Sequence, residues 1–122
     1  MVIKKCFSCG AVVRVLHDCE CEGCGIRCCD KEMQELVPNS VDASFEKHVP
    51  TYEIKEEKIL VSVNHVMEED HYIEWICVVS GNKEVITYFE PGDECSIQCK
   101  YIPGSVIYAY CNKHGLWKAE TK

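Results

Sequence analysis

The sequence of 122 residues has no apolar run long enough to span a membrane or to form the hydrophobic segment of a secretory signal. It is also poor in basic residues. Its 13 Lys and Arg are outnumbered by 20 Asp and Glu, the formal net charge is -7, and no Lys/Arg cluster is present. Binding to phosphates requires a basic face, so a nucleic-acid partner is excluded. We therefore expect a soluble, cytoplasmic protein without a membrane partner.

No long stretch has apolar residues at the spacing of an amphipathic helix. From Thr51 onward, short runs of alternating apolar residues occur instead. These runs begin at Ile59, Ile73, Val85, Cys95 and Val106. Turn-forming residues separate them at 55–58, 80–82, 91–93 and 103–104. This spacing predicts a mostly β protein that contains an antiparallel sandwich. In these runs the alternation places Cys77, Cys95 and Cys99 inward, as small buried apolar residues.

The eleven cysteines are the strongest compositional signal. Seven lie within the first 29 residues: Cys6, Cys9, Cys19, Cys21, Cys24, Cys28 and Cys29. Their odd total number and the expected reducing compartment favour metal thiolates over a disulfide framework. The composition changes near residues 36–40, so we predict a cysteine-rich metal domain over 1–37 and a β-sandwich domain over 38–122. The first domain is too short for a hydrophobic core, and a metal would supply much of its folding free energy.

The segment Cys6-Phe7-Ser8-Cys9-Gly10 is a knuckle in which two thiolates can chelate one ion. Together with Cys28 and Cys29 it gives four thiolates, a soft ligand set that selects iron or zinc. Spacing leaves three roles open for the remaining cysteines, which are Cys19, Cys21 and Cys24: alternative ligands, a second metal site or free thiols. His17 has no second candidate metal ligand at a spacing typical of a chelating pair.

Four of the five histidines lie beside a turn or at the edge of a predicted strand: His48, His65, His71 and His114. Side chains at the ends of strands can converge on one point, whereas a histidine in the middle of a strand is usually only packed. Cys111 precedes His114 by three residues, which adds a thiol to the set. The combination predicts a metal centre with nitrogen and sulfur ligands.

Three segments carry a resemblance to a known family: Glu46–Pro50, His65–Ile76 and Cys111–Trp117. Their order and spacing resemble the signature blocks of the desulfoferrodoxin and superoxide reductase family. The N-terminal cysteines are similar to those of the desulforedoxin-like domain of its two-iron class. Within the second block this sequence departs from the family, because Val66 follows His65 where the family commonly has proline. The resemblance implies an immunoglobulin-like β-sandwich that holds a square-pyramidal iron. In that centre the four histidines named above would be equatorial and Cys111 axial, with one position open.

The resemblance further implies a superoxide reductase, which detoxifies superoxide in an anaerobe or microaerophile by reducing it to hydrogen peroxide. Lys47 would lie beside the open position and attract superoxide, and Glu46 would occupy that position when the iron is ferric. A rubredoxin-type electron donor and a homodimer are implied as well. Two alternatives remain at this stage: a non-catalytic iron electron carrier, and an interaction module held together by zinc.

Overall fold

The computed structural model of the chain describes residues 1–121, which form twelve strands and one short helix. In chain order these elements are β1 Val2–Lys5, β2 Val12–Val15, β3 Arg27–Cys28, β4 Lys31–Glu32, β5 Gln34–Glu35, α1 Phe45–His48, β6 Thr51–Lys55, β7 Lys58–Ser62, β8 Ile73–Ser80, β9 Lys83–Tyr88, β10 Ser96–Lys100, β11 Val106–Cys111 and β12 Gly115–Glu120. All strand pairs are antiparallel, and the predicted mostly β fold is confirmed. None of the helical structure among residues 1–121 is long and apolar enough to cross a membrane.

The chain divides into two compact units, Met1–Val37 and Pro38–Lys122. The smaller unit consists of a three-stranded sheet in the order β2-β1-β5 and a hairpin of β3 and β4. Its buried apolar side chains are few: Ile3, Cys6, Val15 and Met33. Burial of so little apolar surface gives only a small part of the free energy needed to order 37 residues.

The larger unit is a sandwich of two sheets, in the orders β10-β7-β6 and β12-β11-β8-β9. Strand β7 shows why these residues form a half-buried sheet, since its buried Ile59 and Val61 alternate with exposed neighbours. Side chains from both sheets form one core: Ile59, Val61, Val63, Ile73, Ile76, Val78, Phe89, Cys95, Ile107, Ala109 and Cys111. The shared core holds the ends of β7, β8 and β11 in place.

The sequence predicted that Cys77 points into the core, but β8 is buried on both faces and its neighbours Ile76 and Val78 point there instead. Ile76 and Val78 belong to the shared core, so Trp75 and Cys77 point to the opposite face of the sheet. There Trp75 stacks on its cross-strand neighbour Tyr110, with ring centroids 5.7 Å apart. Cys77 is therefore buried as predicted but on the other face. Of the remaining two predicted thiols, Cys95 lies in the core and Cys99 is half-buried against it.

Two short connections at one end of the sandwich matter for function. Helix α1 is a single turn, closed by a 2.9 Å hydrogen bond from the Val49 amide to the Phe45 carbonyl, and Pro50 prevents its extension. The turn between β11 and β12 ends at Gly115, whose φ of 80° is a left-handed conformation that favours glycine. This conformation reverses the chain immediately after His114.

Candidate metal centres

Five predicted ligands from four separate parts of the larger unit converge on one point. They are His48, His65, His71, Cys111 and His114, and the nearest donor atoms all lie within 4.8 Å of one another. We call them the five-donor group. His48 ends α1, and His65 lies between β7 and β8 with His71. Cys111 is the last residue of β11.

The four imidazole rings are arranged as a closed cycle. Ring centroids are 4.8 Å apart for His48 and His65, and 4.6 Å apart for His65 and His71. They are 5.1 Å apart for His71 and His114, and 4.9 Å apart for His114 and His48. Each pair of neighbours meets at a steep angle, between 69° and 89°. The rings thus surround a common centre instead of stacking face to face.

Backbone carbonyls fix the orientation of two of these rings. The Nδ1 atom of His48 lies 2.7 Å from the Ser44 carbonyl oxygen, and Nδ1 of His65 lies 2.5 Å from the Val66 carbonyl oxygen. Because a carbonyl oxygen only accepts hydrogen bonds, the proton of each ring is placed on Nδ1, and Nε2 carries the lone pair that faces the other members of the group. His48 and His65 therefore present Nε2 as a donor atom.

His71 supplies the observation that tests whether a metal fits. Its Nε2 atom is buried and has no hydrogen-bond partner among the described residues. A buried polar atom without a partner costs about 1–3 kcal/mol, so this arrangement requires a compensating interaction. A cation bound by the cycle would satisfy this nitrogen. Nitrogen and sulfur donors of this kind suit iron, zinc or copper, and the residues present fit a transition metal.

The sulfur of Cys111 completes the group. Cys111 is fully buried, and its Sγ lies 3.4 Å from Nε2 of His65 and 3.9 Å from Nδ1 of His114. The His114 amide donates a hydrogen bond to the same sulfur at 3.3 Å. Burial raises the pKa of the Cys111 thiol above its ordinary value, and a nearby cation would be needed to make the thiolate the favoured form.

A second candidate metal centre lies in the smaller unit. The sulfurs of Cys6, Cys9, Cys28 and Cys29 lie within 4.8 Å of one another, and we call these residues the four-cysteine group. Backbone amides of Cys9 and Ser8 lower the pKa of the Cys6 thiol to about 6, which favours the thiolate needed for metal binding. Cys29 adopts a left-handed φ of 53° in the tight turn between β3 and β4, and its sulfur lies 4.0 Å from that of Cys28.

The family is decided by comparison with known proteins. The family model described as desulfoferrodoxin matches residues 40–120. The desulfoferrodoxin of Syntrophotalea carbinolica is 42% identical, over 97% of this chain and 94% of its own length. The chain belongs to the desulfoferrodoxin family. The prediction of this family from the three sequence blocks is confirmed.

Solved structures agree with the desulfoferrodoxin fold. The superoxide reductase from Treponema pallidum has a TM-score of 0.70 and 20% identity, over 96% of this chain and 98% of that one. The superoxide reductase from Giardia intestinalis has a TM-score of 0.57 and 26% identity, over 63% of this chain and 98% of that one. The first covers both units, whereas the second is a shorter protein.

Three charged residues are sequence neighbours of members of the five-donor group. Glu46 and Lys47 are both exposed on α1, next to the buried His48. Lys113 was not selected from the sequence, although it immediately precedes His114. It lies 3.7 Å from Asp70 and contributes to lowering the pKa of His71. The lysines thus place positive charge near a centre in a chain that is acidic as a whole.

Trp117 supports the site from β12. It is fully buried and stacks on His48, with centroids 4.8 Å apart, while its Nε1 donates a 3.1 Å hydrogen bond to the His114 carbonyl. Phe45 meets the same indole edge-on at 5.2 Å. Trp117 therefore holds both α1 and the turn that carries His114.

We expect Trp117→Ala to lower the free energy of unfolding by about 3–5 kcal/mol, because it leaves a large cavity and removes a buried hydrogen bond. Denaturant unfolding of the metal-loaded protein measures this change. Trp117→Phe is the matched comparison, since it keeps the ring under His48 but loses the Nε1 donor. It should be destabilised much less than the alanine variant. Equal losses in the two variants would contradict the proposed role of the stacked ring.

Acidification is expected to release metal from the five-donor group. Burial is the main cause that lowers the pKa of His48, His65 and His71 below the ordinary value of 6.5. Neutral imidazoles are thus favoured in the folded chain. Their contribution to stability is complete above about pH 6.5 and is lost as the pH falls through the lowered values. Metal content and thermal stability should therefore be constant near about pH 7.5 and fall towards about pH 5.

The control for this acid loss is His17→Asn, because His17 is exposed and lies outside the five-donor group. The variant should follow the same curve of metal content against pH as the unchanged protein. Metal content that stays constant down to about pH 4 would contradict ligation by imidazole, since free histidine is then fully protonated.

Proposed function

We propose that this chain is a superoxide reductase, which reduces superoxide by one electron to hydrogen peroxide with the uptake of two protons. The five-donor group is proposed to hold the catalytic iron as a His4Cys centre. The observation that carries the proposal is the closed cycle of four imidazoles with a buried thiol beside it, in which Nε2 of His71 has no hydrogen-bond partner within residues 1–121. Iron bound there would supply the electron that superoxide accepts.

Lys47 is proposed to bind the substrate. Its ammonium is exposed on α1 beside His48, where it can attract an anion and donate a hydrogen bond and a proton to reduced dioxygen. The net charge of -7 repels superoxide at long range, so approach depends on this local positive charge. Glu46, exposed on the same turn, is proposed to provide the carboxylate that occupies the centre after the product has left.

The two units are proposed as domains with separate tasks. Residues 1–37 would form the metal domain, in which the four-cysteine group holds iron or zinc, and residues 38–122 the reductase domain. A sustained reaction requires a donor that returns one electron per turnover, and we propose a rubredoxin-type protein. A homodimer and a cytoplasmic location are part of the same proposal, which rests on membership of the desulfoferrodoxin family.

Metal analysis and an optical spectrum of aerobically purified protein test this function. Iron is expected in the five-donor group, and one equivalent of superoxide should produce a thiolate-to-iron charge-transfer band as the iron is oxidised. Hydrogen peroxide should be formed without release of dioxygen from the superoxide. Zinc in this group would instead support an interaction module held together by zinc. Iron that does not react with superoxide would support a non-catalytic electron carrier.

The role of Lys47 predicts a specific dependence on salt. Screening lengths shrink from about 30 Å at 0.01 M to about 8 Å at 0.15 M ionic strength, so the rate with superoxide should fall as salt is added. Lys47→Ala should lower the low-salt rate by about tenfold or more and flatten this dependence. Stopped-flow measurement at several ionic strengths gives both quantities.

Lys83→Ala is the matched control, because Lys83 follows the end of β8 that lies farthest from His71. It should leave both the rate and its salt dependence unchanged. Lys47→Arg should keep the salt dependence, since it keeps the charge. A rate of the unchanged protein that rises with salt would show that the repulsion from the whole chain outweighs the local field.

A further inference from the structure

A third group of cysteines lies in the loop between β2 and β3. Cys19, Cys21 and Cys24 are all exposed, and their sulfurs lie within 4.8 Å of one another. They are separate from the four-cysteine group, which has its own set of sulfurs. We call them the three-cysteine group. The functions proposed above do not use it.

The backbone of this loop folds back on itself and brings the sulfurs together. Cys21 and Cys24 are joined by a disulfide, and their Cα atoms are 6.0 Å apart. Gly23 between them has a left-handed φ of 70°, which allows the reversal. The sulfur of Cys19 lies 3.6 Å from the Cys24 carbonyl oxygen, so the first cysteine reaches the far end of the loop.

The start of the loop is fixed to the sheet of the smaller unit. Asp18 accepts a 2.9 Å hydrogen bond from the Cys19 amide and forms a 2.9 Å ion pair with Lys4 of β1. The Lys4 side chain is nearly buried. Cys19 is therefore held at a defined position beside the sheet, and the three sulfurs form part of a folded loop.

The charges around the group favour a bound cation. Asp18, Glu20 and Glu22 alternate with the first two cysteines along the chain. The ion pair with Lys4 offsets one of these three negative charges, and the negative charge that remains attracts a cation to the sulfurs.

We propose that the three-cysteine group binds one copper(I) ion through its three sulfurs. Soft thiolates select copper(I), zinc and iron, but structural zinc almost always has four ligands. The group has three members among residues 1–121, and the nearby His17 is instead paired with Glu20 at 2.6 Å. Copper(I) is satisfied by three sulfurs.

Binding requires the reduced loop. A phosphine donates two electrons that break the sulfur–sulfur bond, and one water molecule supplies the oxygen of the resulting phosphine oxide and the two protons of the two thiols. A dithiol reductant instead gives up its own two thiol protons and becomes a disulfide. Each of the three thiols then releases a proton as it binds the cation. The Cys21–Cys24 disulfide thus removes two of the three ligands, and the redox state of the loop determines whether the site exists.

The test is an anaerobic titration of the metal-loaded full chain with copper(I), in the presence of a phosphine reductant and a chromophoric copper(I) chelator as competitor. The unchanged protein should take up one equivalent more than the variant in which Cys19, Cys21 and Cys24 are all serine. Cys19→Ser alone should weaken the binding by more than about 100-fold, since loss of a direct ligand exceeds the effect of losing its supporting partners. Iron content is followed throughout the titration.

Cys99→Ser is the matched control, because it removes one half-buried thiol outside all three groups. It should keep the full uptake of copper. Alkylation followed by mass spectrometry gives a second readout on the unchanged chain, in which copper should protect the three loop cysteines. The proposal is overturned if the unchanged protein and the triple variant take up equal copper, or if copper enters only by displacing iron. Binding of zinc but not copper also overturns it.

Discussion

Replacement of Cys111 by serine is expected to abolish the reaction with superoxide and the thiolate-to-iron charge-transfer band. Cys111 is fully buried at the end of β11, between two imidazoles, and a serine hydroxyl at this position is neither a soft ligand nor a ready anion. The affinity for iron should fall by more than about 100-fold, because outer partners of ligands alone contribute 10- to 100-fold. Stopped-flow kinetics, metal analysis and the optical spectrum measure the three effects.

Cys77→Ser provides the matched control for this experiment. Cys77 is also fully buried, on the neighbouring strand β8, but it lies outside the five-donor group. The variant should be less stable than the unchanged protein and still react with superoxide at the same rate per bound iron. A Cys111→Ser protein that retains the band and the rate would sink the assignment of Cys111 as a ligand.

The second large effect is expected in the smaller unit, where Cys6→Ser should unfold most of residues 1–37. The few buried apolar side chains of this unit cannot order it alone, and structural zinc contributes about 10–16 kcal/mol to the folding of zinc-finger peptides. Cys6 is the buried thiol of the four-cysteine group, and hydrogen bonds from backbone amides lower its pKa and favour the thiolate. Its loss should remove the metal and the hydrogen-exchange protection of β1 and β2.

Hydrogen exchange followed by mass spectrometry separates the two units in this test. Protection over 38–121 should persist, because the sandwich has its own core. Cys19→Ser is the matched control, since it removes a cysteine of the same unit that lies outside the four-cysteine group. Normal protection of β1 in Cys6→Ser, with metal absent, would show that the unit folds without its metal.

Strands with one buried face could be predicted from the sequence, and other strands could not. The alternation at Ile59 and Val61 is clear because only one face of β7 is buried. Strand β6 was not predicted, because its side chains are largely exposed and leave no pattern. In β12 the adjacent Leu116 and Trp117 are both buried, which breaks the period of two. Where both faces are covered, as in β8, the sequence does not show which face belongs to the core.

For the candidate site, the residues of the five-donor group could be predicted from the sequence, but the contacts that support them could not. The identities and spacing of the four histidines and Cys111 are sequence features, and they predicted the residues that the structure brings together. The support of the rings depends on the Ser44 and Val66 carbonyls and on Trp117, and such contacts leave no mark in composition or period. The division of the N-terminal cysteines into a three-cysteine and a four-cysteine group was also not predicted, because the spacing of cysteines alone does not specify turns with left-handed residues such as Gly23 and Cys29.

Helix α1 has a consequence for the dynamics of the site. A single isolated turn of four residues is far below the length at which a helix is stable in water. Its folded state therefore depends on the anchoring of His48, and Lys47 shares the same local opening equilibrium. Any change that weakens this anchor would therefore also increase the motion of Lys47. The substrate attraction proposed for Lys47 and the metal ligation proposed for His48 would thus be thermodynamically linked through one helical turn.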